Sequence, residues 1–387
     1  MIKTFQELLE KTKTAEKIEP KVVEQEVWSS KEWERIGKTQ TEEILRPFLA
    51  FQIERAPKNM PEIYGQYASK KISFKDFKDL YTLPALVKDT TNHSIGFRKK
   101  VRTTPYVMLP RDVETAVSIY KSGGTRGMPT PTFITEWDRG IETKAVKKVY
   151  EYMGMTAKDV LLNTYNPTHK GGLWNSLAGL ELGAKVLTRR TTDTAAEIIE
   201  TIKHYRVTVL ATVQGPLNEG DKIKKGGGVD FISLIEAGED TLEDFVQTLF
   251  ISGYKLMPEV IAWAETHDKK VANALGSSEA IPQATGTIPG DICKYNNLHL
   301  LNGPHYVEIV KQESGQLVPV KRGETGILTY TTIAREGTIY IRYAPGDAAK
   351  LLAYSGECDC GIKTPIISDV RRIDIPEDTI TAGCCIG

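Results

Sequence analysis

The sequence predicts an α/β fold: a large part built from helix-covered, mostly parallel sheets, followed by a small antiparallel β-unit. Three observations predict it. Between Val160 and Ala211, short apolar, β-branched runs alternate with longer segments of helical character, the pattern of strands that return through covering helices. From Tyr306 onward the pattern changes to short paired strands around Glu313-Ser314-Gly315, a hairpin signal. The chain has 387 residues, 40% hydrophobic and 26% charged, enough to bury a sizeable core and typical of a globular protein.

Taken in order, residues 4–57 read as helical, with few breakers from Glu24 to Ile53 and with Trp28, Trp33, Ile36, Ile44 and Leu45 as candidate buried positions. Phe77 to Lys88 ends a helix and turns extended at Pro84, because proline disfavours helix at the residue before it. Ala116–Tyr120 is a strand, and Asp138 to Met153 a long helix. Then come a buried strand at Val160–Asn163, a helix from Leu173 to Leu182, a strand at Lys185–Leu187, a helix from Thr192 to His204 and a strand at Val207–Ala211. Lys222 to Gly228 reads as a flexible basic loop, and Lys270–Asn273 as a strand. The β-unit holds Tyr306–Val310, Gln316–Val320, Ile327–Tyr330 and Ile339–Tyr343.

Composition excludes several classes. Lys+Arg and Asp+Glu are both 50, a net charge of zero, which argues against a nucleic-acid-binding surface. No apolar run is long enough to span a bilayer, and the N-terminus carries no apolar signal region, so a cytoplasmic address without membrane attachment is expected. Five cysteines, odd in number and clustered, suit metal or reactive thiols better than a disulfide framework.

The segment Tyr120 to Pro131 is rich in glycine and hydroxyls and follows a strand. Glycine lets a backbone approach an anion closely, and Ser and Thr hydroxyls add donors; an ordinary glycine-rich turn is the plain alternative. It is not a Walker loop, since Met128 follows Gly127 where that loop has lysine. It is not a dinucleotide fingerprint either, because Met128-Pro129-Thr130-Pro131 cannot open a helix smoothly.

Two further motifs lie downstream: Gly276-Ser277-Ser278-Glu279 after a strand, and Tyr340-Ile341-Arg342-Tyr343-Ala344-Pro345-Gly346-Asp347, running from a strand into a turn. In this order and spacing the chain resembles the adenylate-forming enzymes. The finer resemblance is to the phenylacetate–CoA ligase branch, carried by Leu80–Lys88, His169–Leu187, Leu298–Val320, Gly323–Ile333 and Ile341–Asp347, and it covers roughly residues 75 to 375. It implies ATP-dependent activation of a carboxylic acid, aromatic acids included, to an acyl adenylate. Transfer to coenzyme A or to an acceptor borne by a partner would follow. Catalysis of this kind is mostly positioning and charge stabilisation.

The resemblance assigns roles residue by residue. Ser122, Gly123, Gly124, Thr125 and Gly127 would wrap the ATP phosphates, with Arg126 as added charge. Glu279 resembles the magnesium carboxylate, and a hard cation bridging phosphates wants such an oxygen ligand. Asp347 resembles the residue that accepts the ribose hydroxyls, and Arg372 the hinge arginine that contacts ribose and phosphate. Ser252, Gly253 and Tyr254 would line the adenine, together with Leu275, Gly276, Ser277 and Ser278. Thr125, Glu279 and Arg372 are the expected catalytic residues, and Tyr165, Asn166 and His169 face the acid. The plain alternatives are a capping or surface carboxylate at Glu279, a turn residue at Asp347, surface charge at Arg371 and Arg372, and a structural histidine at His169.

Cys358 and Cys360 form a C-x-C pair, with Cys293 and His299 upstream. Four soft ligands with no open position suit a structural tetrahedral zinc, and relatives of the resembled branch carry such a set; Asp291 or His305 is the alternative ligand. Two departures concern ATP. Leu275 stands where an aromatic ordinarily stacks on adenine, and Met128 replaces a lysine. The resemblance also places a mobile C-terminal domain beyond the hinge, and the expectation here is a chain that lacks it. The expected division is a helical region at 1–75, an α/β adenylation core at 76–304, a β-rich subdomain with the zinc site at 305–370, and a hinge remnant and tail at 371–387 that includes Cys384 and Cys385. A partner supplying the missing domain and a homodimer are assemblies this reading admits. A catalytically weak nucleotide- or acyl-binding subunit of a larger complex is the alternative function.

Overall fold

The computed structural model describes residues 1–69, 74–83, 86–87, 101, 103–115, 117–121, 130–167, 169–214, 217–219, 222–224, 229–252, 256–281, 284–288, 298–301, 303–314, 316–358 and 360–373. The chain divides into two compact units. One comprises Met1–Glu142, Ser278–Gln283 and Leu300–Gly387, the other Thr143–Ser277 and Ala284–His299.

The second unit is the α/β part that the alternating pattern predicts. Its strands run in the order Lys185–Thr188, Val160–Asn163, Val209–Thr212, Thr248–Ser252, Lys270–Leu275 and Ala284–Ile288. The first five are mutually parallel, and only the last pairing is antiparallel. Successive side chains of a strand point to opposite faces, and Val160–Asn163 obeys this. Leu162 joins a buried cluster with Ile198, Ile202, Phe231, Leu234 and Trp263, so the helices Ala195–Tyr205, Phe231–Phe245 and Pro258–Thr266 cover one face. Leu161 faces the opposite way, toward the helix Lys170–Glu181. The approach there is so close that a Cβ on Gly179 would lie 2.8 Å from the side chains of Leu161 and Val186. The helix Ala195–Tyr205 starts with a reciprocal cap between Thr194 and Glu197 and ends at Arg206 in the left-handed region.

The first unit begins with helices packed around aromatic side chains. Thr4 and Glu7 cap the helix Phe5–Thr14 in the same reciprocal way. Trp28 and Trp33 stack with centroids 6.0 Å apart, and Phe48, from the helix Lys38–Asn59, meets Trp28 edge-on at 4.5 Å. Both indole N–H groups stay satisfied in the core, on the carbonyls of Pro20 and Val27. The expected buried positions Trp28, Trp33, Ile44 and Leu45 are in this core, with Ile36 packed at its margin.

The antiparallel β-unit also belongs here. His305–Glu313 pairs with Gln316–Pro319 and with Thr325–Thr332. Thr325–Thr332 pairs with Asp347–Ala353, which pairs with Ile366–Arg372. A separate hairpin joins Val117–Lys121 to Pro131–Thr135.

Two local expectations are corrected. Lys222–Lys224, expected as loop, is a strand paired with Leu217–Glu219. Ile339–Tyr343, expected as a strand, contributes only Tyr343, which pairs within Tyr343–Ala344. The Tyr340 carbonyl accepts Thr332 N–H at 2.8 Å, but the segment's N–H donors go to side-chain hydroxyls. Tyr340 N–H donates to Thr332 Oγ1, Ile341 N–H to Tyr64 Oη and Arg342 N–H to Thr331 Oγ1. Arg342 then turns left-handed, with φ of 46°, which ends any strand.

Candidate active site

In the first unit the site is assembled around Glu279. The strands Val117–Lys121 and Pro131–Thr135 pair with Lys121 opposite Pro131, so they flank the expected phosphate loop. The loop residues Ser122, Gly123, Gly124, Thr125 and Gly127 themselves lie outside the described residues. The hairpin is fastened at its returning strand. Phe133 N–H donates to Thr338 Oγ1 at 2.9 Å, and the Thr132 and Tyr340 hydroxyls share a bond of 3.0 Å. Tyr340 packs on Tyr343 at 4.6 Å, and the Tyr343 hydroxyl donates to Glu279 Oε1 at 3.1 Å.

Glu279 is buried at 1% exposure, beside Ser278, also buried, and Ala280. Burial and the neighbouring Glu279 charge both push the Tyr343 and Tyr340 phenols far up, burial being the larger cause. Both therefore stay protonated and able to donate. Carboxylate and phenols form a rigid patch under the hairpin.

Asp347 opens its strand directly after Gly346, whose φ of 98° belongs to the left-handed region that glycine tolerates. The register sets Asp347 opposite Arg372. The two residues expected at the ribose thus sit side by side, though 25 positions apart in sequence.

What holds this irregular segment is a buried ion pair that sequence reasoning missed. Arg342 is fully buried. Its Nε and Nη2 donate to Glu308 at 3.2 and 3.3 Å, and its remaining donors reach the carbonyls of Leu83 and Leu317 at 3.0 and 2.8 Å. The guanidinium fork matches this set of acceptors, which an ammonium could not satisfy. The only signal in the sequence is an arginine within an otherwise apolar run.

In the second unit the expected acid- and adenine-side residues gather at the C-terminal ends of the parallel strands, where open α/β sheets bind ligands. Tyr165 follows Val160–Asn163. Its hydroxyl donates to the Thr212 carbonyl at 2.6 Å and accepts from Ser252 N–H at 2.8 Å and Ser252 Oγ at 2.9 Å. One phenol oxygen therefore ties three strand ends together. Burial pushes the Tyr165 phenol well up, with the Ser252 hydrogen bonds opposing.

Asn163 Oδ1 accepts the Tyr165 N–H, and its Nδ2 donates to Gly172 O and Ser176 Oγ. Gly172 is required there, since any Cβ would collide with the Asn166 carbonyl. Exposed His169 caps the helix Lys170–Glu181 by accepting Gly171 N–H on Nδ1 at 3.2 Å. In the neutral ring that bond puts the proton on Nε2. Arg189, also unforeseen, is buried and donates to Thr164 O at 2.6 Å. Leu275 ends the strand Lys270–Leu275, and Gly276 and Ser277 follow it. Gly253 and Tyr254 lie outside the described residues, as do Cys293, Cys384 and Cys385.

Of the expected zinc ligands, His299, in the second unit, is buried within the strand Leu298–Leu300, and in the first unit Cys358 is buried and Cys360 half-buried. No helix among the described residues is long and apolar enough to cross a membrane.

Comparison with known proteins gives the class. The model of the AMP-binding enzyme family matches residues 22–333, and the chain belongs to that family. The chain's curated relatives include phenylacetate-coenzyme A ligases. It is 23% identical over 335 residues to a phenylacetate-coenzyme A ligase of Thermus thermophilus, and 23% over 319 residues to one of Escherichia coli. These alignments take in 83% and 79% of the chain but 66% and 65% of the relatives, so the chain spans just under two thirds of their length. Among solved structures, an open conformation of a 2-hydroxyisobutyryl-CoA ligase, in complex with its acyl-AMP and CoA, superposes with a TM-score of 0.70 at 17% identity. It covers 87% of this chain and 75% of that one; the same ligase in its thioesterification state also gives 0.70. The fold is that of the adenylate-forming ligases.

Proposed function

We propose that this protein activates a carboxylic acid with ATP and passes the acyl group to coenzyme A. A carboxylate oxygen attacks the α-phosphorus, the bond to the bridging oxygen breaks, and pyrophosphate leaves. The thiol sulfur of coenzyme A then attacks the acyl carbon, and AMP departs. The observation that carries this reading is the family match over residues 22–333 in a chain that keeps the carboxylates Glu279 and Asp347 at the motif positions. Similarity to two phenylacetate-coenzyme A ligases directs the choice of acid toward aromatic ones.

In this scheme the segment Ser122–Gly127 grips the phosphates. Asp347 accepts the ribose hydroxyls, with Arg372 opposite. The Ser252 strand end lines the adenine, while Tyr165, Asn166 and His169 close the acid side. Glu279 would hold magnesium, which when bound neutralises phosphate charge. Cys293, His299, Cys358 and Cys360 would hold a structural zinc, a set of soft donors of the kind that ion takes.

Acid-dependent exchange of pyrophosphate into ATP, over a panel of aromatic and aliphatic acids, tests the reading. Exchange with at least one acid is expected. ATP binding without exchange for any acid overturns it. Metal analysis of the purified protein is expected to find about one zinc per chain, lost in the double variant Cys358→Ser, Cys360→Ser; a folded, metal-free native protein refutes the zinc site.

A further inference from the structure

We infer that Tyr343 is a positioning residue for Glu279: its hydroxyl sets the orientation of the carboxylate and so the affinity for the divalent cation that accompanies ATP. The inference rests on the proposed magnesium role of Glu279. Three features support it. The hydroxyl donates to Glu279 Oε1 at 3.1 Å, with both side chains buried. The ring cannot swing away, because it packs against Tyr330 at 5.3 Å and Tyr340 at 4.6 Å. The backbone before it is pinned by Arg342, whose left-handed conformation and buried bonds to Glu308, Leu83 and Leu317 fix where Tyr343 emerges.

A carboxylate oxygen with a fixed donor on one side has its lone pairs aimed on the other. Hydrogen-bond partners of this kind orient metal ligands, and their loss typically weakens metal affinity by about tenfold or more. The geometry also accounts for an otherwise odd arrangement. A buried tyrosine is packed beside a buried carboxylate, where phenylalanine would fill nearly the same volume. The hydroxyl is the one feature that distinguishes the two, and it donates to Glu279.

The test is calorimetric titration of the full chain with ATP at a series of magnesium concentrations, which needs no knowledge of the acid. Tyr343→Phe is expected to raise the magnesium concentration for half-maximal ATP binding about tenfold, and Glu279→Gln at least as much. Tyr150→Phe removes a buried hydroxyl that is bonded to Asn175 instead, so it is expected to leave the magnesium requirement as it is.

A native requirement in Tyr343→Phe beside a raised one in Glu279→Gln overturns the inference and leaves the magnesium reading standing. A native requirement in Glu279→Gln overturns both. Should Tyr343→Phe fail to fold, Tyr343→3-fluorotyrosine keeps the volume and makes the phenol a stronger donor. Its magnesium requirement is then expected to shift, and an unchanged one refutes the inference.

Discussion

The two units solve the same problem, holding polar groups in fixed places, by different means. In the second unit the groups ride on a regular parallel sheet. Asn163, Thr212 and Ser252 end neighbouring strands, and Tyr165 ties them with neutral hydrogen bonds, its backbone N–H to Asn163 and its phenol to Thr212 and Ser252. In the first unit the supporting chain from Thr338 to Arg342 is irregular, and it is held by a fully buried charge pair and by hydroxyls standing in for a β-ladder. Regular geometry needs little reinforcement. Irregular geometry with a strained residue persists only when the surroundings over-determine it.

The sharpest way to break this contrast is to remove one charge. Glu308→Ala leaves the Arg342 guanidinium buried and unpaired, which costs about 3–5 kcal/mol. Denaturant unfolding of the full chain should show that loss, and a loss below about 1 kcal/mol would mean the pair is not the brace described. Next in size is Glu279→Ala, expected to lower ATP–pyrophosphate exchange roughly 100-fold, in line with the loss of one electrostatic contact in an active site. Unchanged exchange would remove Glu279 from the chemistry.

A smaller loss is expected in the second unit. Tyr165→Phe keeps the ring but strips Ser252 N–H and the Thr212 carbonyl of their partner, costing about 1–3 kcal/mol by unfolding. A loss matching that of Glu308→Ala would erase the contrast between the two units. Smallest is His169→Asn. Asparagine caps helices well, so stability should stay within about 0.5 kcal/mol. A raised KM for the acid with native stability would then separate a substrate role from a capping one.

The same contrast explains what could be read in the sequence. Val160–Asn163 is found where its apolar run predicts it, and the helices and strands that follow lie within a few residues of their expected ends. There the information is local, since period and capping residues sit within one element. Thr194 and Glu197 are three apart. Ile339–Tyr343 carries an equally convincing β-branched and aromatic signal, yet only its last residue pairs as a strand. What decides its shape is Glu308, 34 residues upstream, together with Thr331 and Tyr64. No window of neighbouring residues contains that information.

The site shows the same division. Glu279 and Asp347 stand out because glycine-marked turns flank them in a known order, and the pairing of Asp347 with Arg372 follows once the strands are in register. Tyr343, Arg342 and Arg189 carry no such marker. Their roles arise from which carbonyls and carboxylates the fold brings to them.

Arg342 stands under two opposing demands. Glycine would suit its backbone, whose φ is 46°, but would abandon Glu308 and two carbonyls. Lysine would keep the charge but not the fork that reaches all three acceptors. Each single replacement repairs one requirement and violates the other, so drift at this position is closed one step at a time. Exchanging Arg342 and Glu308 together for apolar residues of similar volume is the route that buried ion pairs leave open, often at no loss of stability. Positions 308 and 342 should therefore vary as a pair among relatives that share this bend, and stay together where either stays.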